Sequence, residues 1–101
     1  MYYRNFNSDR QGKSFSQLTI SQVWGKAALA QGYNPDFVRK DKCNALIERK
    51  EYGNTGSKYG WEVDHINPVA GGGSDDLYNL QPLQWENNRA KSDGPLVCAV
   101  Q

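Results

Sequence analysis

The sequence predicts a single small α+β domain, and three observations carry that prediction. Apolar residues recur at helical spacing in LTISQVWGKAALAQGY, residues 18–33. Residues 61–93 read as strand, loop, strand, helix. A chain of 101 residues can bury one modest core but not two.

Taken in order, residues 1–16 are rich in Asn, Ser, Gln and Gly and read as a flexible N-terminal arm ahead of one domain over 17–101. The first helix carries Ile20, Val23, Trp24, Ala27 and Ala28 on one face, with Thr19 or Ser21 as its cap and Gly32 just past its end. Trp24 reads as a core anchor. Next, NPDFVRKDKCNALIERKEYG reads as a hairpin, with strands at about 37–40 and 45–52 around the turn chemistry of DKCN. A helix starting at Asn44 is the rival for its second half. GNTGSKYG is a loop.

The pattern sharpens at WEVDHI, where Trp61 and Val63 alternate with Glu62 and Asp64 as in a half-buried strand. NPVAGGGSDD is a long turn whose glycines admit close backbone approach. NLQPL is a short strand, and Pro82 places it at a sheet edge. QWENNRAKSDG is a short helix ended by Gly94-Pro95.

Charge is uneven along the chain. Residues 1–61 hold ten Lys/Arg against five Asp/Glu, a net of +5, whereas residues 62–101 hold two against six, a net of −4. A basic half beside an acidic half suits a protein that holds a polyanion with one part and a metal with the other. Arg39, Lys40 and Lys58 upstream, with Arg89 and Lys91 locally, are the candidate phosphate contacts. No apolar run approaches the roughly 20 residues that span a bilayer, and MYYRNFNSDR lacks a signal-peptide core, so no membrane partner and a cytoplasmic location are expected. Cys43 and Cys98 are far apart with no C-x-x-C pairing, which reads as two unpaired thiols and no structural zinc.

His65 is the only histidine, and it sits behind an aspartate and before NP and GGG. A lone histidine is more often a packing residue, so its neighbourhood has to argue otherwise. Phosphodiester hydrolysis needs a base to activate water, a cation on the phosphoryl oxygens, and something to hold the geometry. His65 can be the base. Asp64 offers a hard-cation ligand, and a second oxygen must come from Glu86, Asn87 or Asn88 on the helix. Oxygen ligation favours Mg²⁺, with Mn²⁺ as an alternative.

The run VDHINP…GGG…NLQPL…NNRAKSD resembles the HNH endonuclease motif over about residues 61–93, and the closing NRAKSD is similar to the HNH domain of RNA-guided CRISPR nucleases. The preceding 24–53 also resembles the stretch before this motif in small bacterial and phage HNH proteins. The resemblance implies a ββα-metal (His-Me finger) nuclease module with an N-terminal helix and hairpin. It gives His65 the role of general base, Asp64 that of first metal ligand, and Asn79 that of the asparagine that ties the loop and orients the histidine. Asn88 becomes the second metal ligand, preferred to Asn87 because it stands three before Lys91, the family lysine near a phosphate. Many members carry histidine where Asn88 stands, and the asparagine shifts the expected metal from zinc or nickel to magnesium. The implied function is DNA nicking that leaves 5′-phosphate and 3′-hydroxyl ends. A homodimer would be needed for a double-strand cut, unless one molecule visits twice. A non-cleaving DNA-binding module on the same fold is the alternative from another class. A ribonuclease or toxin nuclease, with an immunity protein or larger complex as partner, is another.

Overall fold

A computed structural model describes residues 5–101, so positions 1–4 of the expected arm lie outside the described residues. Residues 5–16 make contacts back to the domain: Asn7 Oδ1 accepts from Tyr52 Oη at 2.7 Å and from the Val63 amide at 2.8 Å, and the Phe15 ring is buried.

Helix α1 spans Gln17–Trp24. Its cap is Ser16, whose hydroxyl accepts from the Thr19 amide at 3.1 Å, and not Thr19 or Ser21. The helix ends at Gly25, well before the expected Gly32, because Ala28–Leu29 are drawn into strand β1. Pairing with β2 (Val38–Lys40), in the register Ala28↔Lys40 and Leu29↔Arg39, outweighs local helix propensity there. Strand β3 (Leu46–Glu48) completes a three-stranded antiparallel sheet, so the hairpin prevails over the helix from Asn44. It is shorter than expected, since Arg49–Glu51 turn into a 3₁₀ helix.

Asp41 builds the hairpin turn and fastens it to the second half of the chain. Its Oδ1 accepts from the Cys43 and Ala45 amides at 2.8 and 2.9 Å, while Oδ2 accepts from the Gln84 amide at 2.9 Å and Asn87 Nδ2 at 3.0 Å. Four charge-assisted bonds satisfy this buried carboxylate.

Strands β4 (Trp61–His65) and β5 (Leu80–Gln84) pair antiparallel from Trp61↔Gln84 to His65↔Leu80, and helix α2 (Trp85–Lys91) follows at once. Together they form the ββα unit expected over 61–93. Gln84 caps α2, its Oε1 accepting from the Glu86 and Asn87 amides at 2.7 and 3.2 Å. β4 departs from the half-buried reading, for all five of its residues are buried. Trp61 and Val63 join Phe15, Val23, Trp24, Ile47 and Leu80 in the core, where the Trp24 and Trp61 rings lie 5.3 Å apart. Glu62 and Asp64 meet side chains of α2, which buries the polar face as well.

The cysteines are joined, contrary to the reading of two unpaired thiols: Cys43 and Cys98 form a disulfide across 55 residues of sequence. Val100 exchanges backbone bonds with the Asn87 amide group at 2.8 and 2.9 Å, and this returns the C-terminal segment along α2 to the hairpin turn. Closing so long a loop constrains the unfolded chain, so reduction should cost about 2–4 kcal/mol. Thermal melts with and without a phosphine reductant should then differ by roughly 10–20 °C. A Cys98→Ser variant should melt at the lower temperature with no response to reductant; equal melting of all samples would mean that the bond contributes nothing.

Candidate active site

His65 ends β4, and the loop after it is closed by one side chain. Asn79 Oδ1 accepts from the Asn67 amide at 2.8 Å, and its Nδ2 donates to the carbonyls of Asn67 at 3.1 Å and Ser74 at 2.8 Å. The Ile66 amide adds a bond to the Asn79 carbonyl at 2.8 Å. Gly73 is required by this closure, since a Cβ there would lie 1.7 Å from the Asn67 carbonyl oxygen. Gly72, at φ +89°, supplies the left-handed step beside it.

The closed loop delivers Asp75 to the histidine. Asp75 Oδ1 lies 2.7 Å from His65 Nε2, and the same carboxylate accepts from the Arg10 amide at 3.1 and 3.2 Å. An ionised carboxylate only accepts, so Nε2 carries the hydrogen and Nδ1 is left as the proton acceptor. Phe15 packs against the imidazole with ring centroids 5.9 Å apart. Sequence reasoning missed Asp75. It lies ten residues beyond the histidine in a loop that also offers Asp76, and only the Asn79 closure selects between them.

Asp64 works from under α2. Gln81, its cross-strand partner, donates from Nε2 to Asp64 Oδ2 at 2.9 Å, and Lys91 Nζ stands 3.4 Å from the same oxygen. Lys91 also donates to the His65 carbonyl at 3.0 Å. Its ammonium is buried and therefore couples the two neighbours on β4, rather than reaching into solvent.

Asn87 and Asn88 are both fully buried but differently engaged. Asn87 spends its amide on Asp41 and on both backbone groups of Val100. Asn88 donates from Nδ2 to Glu62 Oε1 at 2.9 Å, whereas its Oδ1 is buried with no hydrogen-bond partner. Leaving a buried carbonyl oxygen unpaired costs about 1–3 kcal/mol, so such an atom asks for a function. Among the described residues no three His, Cys, Asp or Glu side chains gather as a metal-binding group. A cation here would therefore draw on amide as well as carboxylate oxygen, with Asn88 Oδ1 as the unpartnered donor. An unsatisfied hard oxygen donor on α2, with the Asp64 carboxylate held to the same helix through Lys91, fits Mg²⁺ or Mn²⁺ chemistry.

The remaining basic candidates separate. Arg89 lies on Glu62, with Nη2 2.8 Å from Oε2, and stacks over Phe6 at 4.2 Å. Arg39 is spent on the carbonyls of Pro35 at 2.9 Å, Ala27 at 3.2 Å and Gly25 at 3.4 Å. Lys58 lies 5.0 Å from the centre of the Tyr59 ring. Lys40 faces a groove with Lys26 and Lys42.

No helix among the described residues is long and apolar enough to cross a membrane. No curated protein and no solved structure matches the chain. The family model described as HNH endonuclease matches residues 42–94, more than half of the sequence and the whole of the ββα unit. With the ββα fold and this match together, the chain belongs to the HNH endonuclease family.

Proposed function

We propose that the chain is a divalent-metal-dependent endonuclease that hydrolyses DNA phosphodiester bonds one strand at a time. The observation that carries this reading is the His65–Asp75 pair at 2.7 Å, because it leaves the imidazole with one nitrogen free to accept a proton. His65 Nδ1 takes a proton from water as the water oxygen bonds to phosphorus; the P–O3′ bond breaks, leaving a 5′-phosphate, and the 3′ oxygen acquires a proton from solvent. Asp75 keeps the ring oriented. Asn79 holds the loop that presents Asp75. Lys91 fixes the His65 carbonyl and balances the charge of Asp64. Asp64 and Asn88 would hold Mg²⁺, or Mn²⁺, which when bound supplies charge to polarise the phosphoryl group and stabilise the departing oxygen.

The test is a supercoiled plasmid incubated with Mg²⁺, Mn²⁺ or EDTA, beside single-stranded DNA and RNA. Nicked circles should accumulate before linear product, and EDTA should stop the reaction. Full activity in EDTA, or cleavage of RNA alone, would sink the reading. Asp75→Ala should lower the single-turnover rate by roughly 10–100-fold, the range usual for groups that orient a ligand through a hydrogen bond. DNA affinity should be unchanged, and a matching loss in affinity would place Asp75 in binding.

One observation favours a second reading, an exported nuclease. Disulfides persist in oxidising compartments and are rare in a reducing cytoplasm. The Cys43–Cys98 bond therefore argues against the cytoplasmic location expected from the sequence. Mass spectrometry after alkylation of whole cells would separate the two: blocked thiols support the cytoplasm, and an unmodified pair supports export.

A further inference from the structure

Where β5 faces the segment after α1 and the end of β2 lies a groove of about 360 Å³, lined by Lys26, Lys40, Lys42, Ile66, Tyr78 and Gln81 among others. That volume falls in the lower part of the range that takes small ligands, about 300–1,000 Å³. The groove abuts the catalytic centre in two ways. Ile66 follows His65 directly, and Gln81 is the residue that donates to Asp64 Oδ2 at 2.9 Å.

Its charge is one-sided. Among the described residues none of the three lysines ion-pairs with a carboxylate. The acid in the lining, Asp41, already accepts four hydrogen bonds within the fold. Lys26 Nζ donates to the Leu77 carbonyl at 2.6 Å and also to that of Leu80, which leaves one of its three hydrogens unassigned. Burial, and then the neighbouring Lys42 ammonium, hold the Lys26 pKa below its ordinary value. Like charges crowded without a counter-charge are relieved by an anion.

The rim is apolar and flat-faced. Tyr78 is 78 % exposed and Ile66 41 % exposed, and both flank the Asn79 closure, where the Ile66 amide meets the Asn79 carbonyl at 2.8 Å. Among the described residues the Tyr78 side chain enters no hydrogen bond or ring contact, and its ring stands largely in the open. In a duplex the bases are stacked on one another, so a ring held out at a groove mouth can stack only on a base that has left the stack.

We propose that this groove binds a single nucleic-acid strand adjoining the scissile phosphate, with Lys40 and Lys42 on its phosphates and an unstacked base on Tyr78. The nuclease reading above supplies the choice of ligand. The preferred substrate is then a single strand or a locally opened duplex, rather than a closed one.

The experiment measures binding by fluorescence anisotropy in EDTA, with labelled single-stranded DNA, single-stranded RNA and duplex DNA of one sequence. Tyr78→Ala should weaken single-strand binding about tenfold, within the range for loss of one stacked base. Duplex binding should change less than twofold. Tyr78→Phe, which keeps the ring, should bind within twofold of the parent. Changing Lys40 and Lys42 together to alanine should flatten the slope of log affinity against log salt by about 1.4 on single strands, at about 0.7 per phosphate. Loss on both DNA and RNA is expected, since stacking and phosphate contact do not read the 2′-hydroxyl, and loss on one alone names that strand as the ligand. The proposal is overturned if Tyr78→Ala binds single strands like the parent, or loses as much on duplex. Because binding is read in EDTA, absent cleavage with ring-dependent binding removes only the nuclease reading. Cleavage with ring-independent binding removes only the groove.

Discussion

His65→Ala should slow cleavage about a thousandfold, within the range of about 10²–10⁴ for a lost general base. The imidazole is the one side chain of its kind in the sequence, and its Nε2 is already committed to Asp75 at 2.7 Å. DNA affinity should hardly change, because the ring lies mostly against Phe15 and Asp75 and presents only a small part of its surface at the site. The released Asp75 carboxylate is 40 % exposed and returns to water at little cost, so the fold should survive. Single-turnover cleavage at saturating protein, a gel shift in EDTA and a thermal melt separate the three quantities. A near-parental rate in the alanine variant would falsify the assignment of the base.

The two adjacent asparagines should fail in different ways. Asn88→Ala removes the unpartnered buried oxygen, and cleavage at low Mg²⁺ should fall by more than roughly 100-fold, beyond what merely orienting residues cost. Raising the metal concentration should restore part of that loss, and calorimetric titration with Mn²⁺ should show weaker binding directly. Asn87→Ala should instead melt early. It deletes the bonds to Asp41 and Val100, a loss of about 2–3 kcal/mol for buried polar partners left behind. Below its melting point, and at saturating metal, that variant should cleave within a fewfold of the parent. Equal losses of activity and stability in both variants would contradict a ligand role for Asn88 alone.

The basic residues show where charge counting stops. The surplus over residues 1–61 includes Arg39 and Arg49, yet both guanidinium groups lie near the Trp24 ring, and Arg39 is bound to three carbonyls. Arg89 likewise neutralises Glu62 beneath α2. Formal charge in a sequence includes cations that the fold uses for itself. Lys26 and Lys42 were not singled out from the sequence, since nothing local marks them as facing one groove with Lys40.

What the sequence determined by itself was local in origin. Alternation in WEVDH, the proline in LQPL and the short polar helix after it carried the strand–strand–helix order, and the spacing from His65 through Asn79 to Asn88 carried the family. Each depends on neighbours within a few residues or on a motif read in one pass. Tertiary structure decided the rest. It ended α1 at Trp24 by pairing Ala28–Leu29 with β2, and it buried the polar face of β4 under α2. Asp75 was chosen over Asp76 by the Asn79 closure, and Asn88 is distinguished from Asn87 because only its neighbour is spent on the returning C-terminal segment. Cys43 met Cys98 across 55 residues for the same reason. In every such case the deciding partner is distant in sequence, and hydrogen-bond satisfaction and burial are properties of the assembled chain, which no window of neighbouring residues contains.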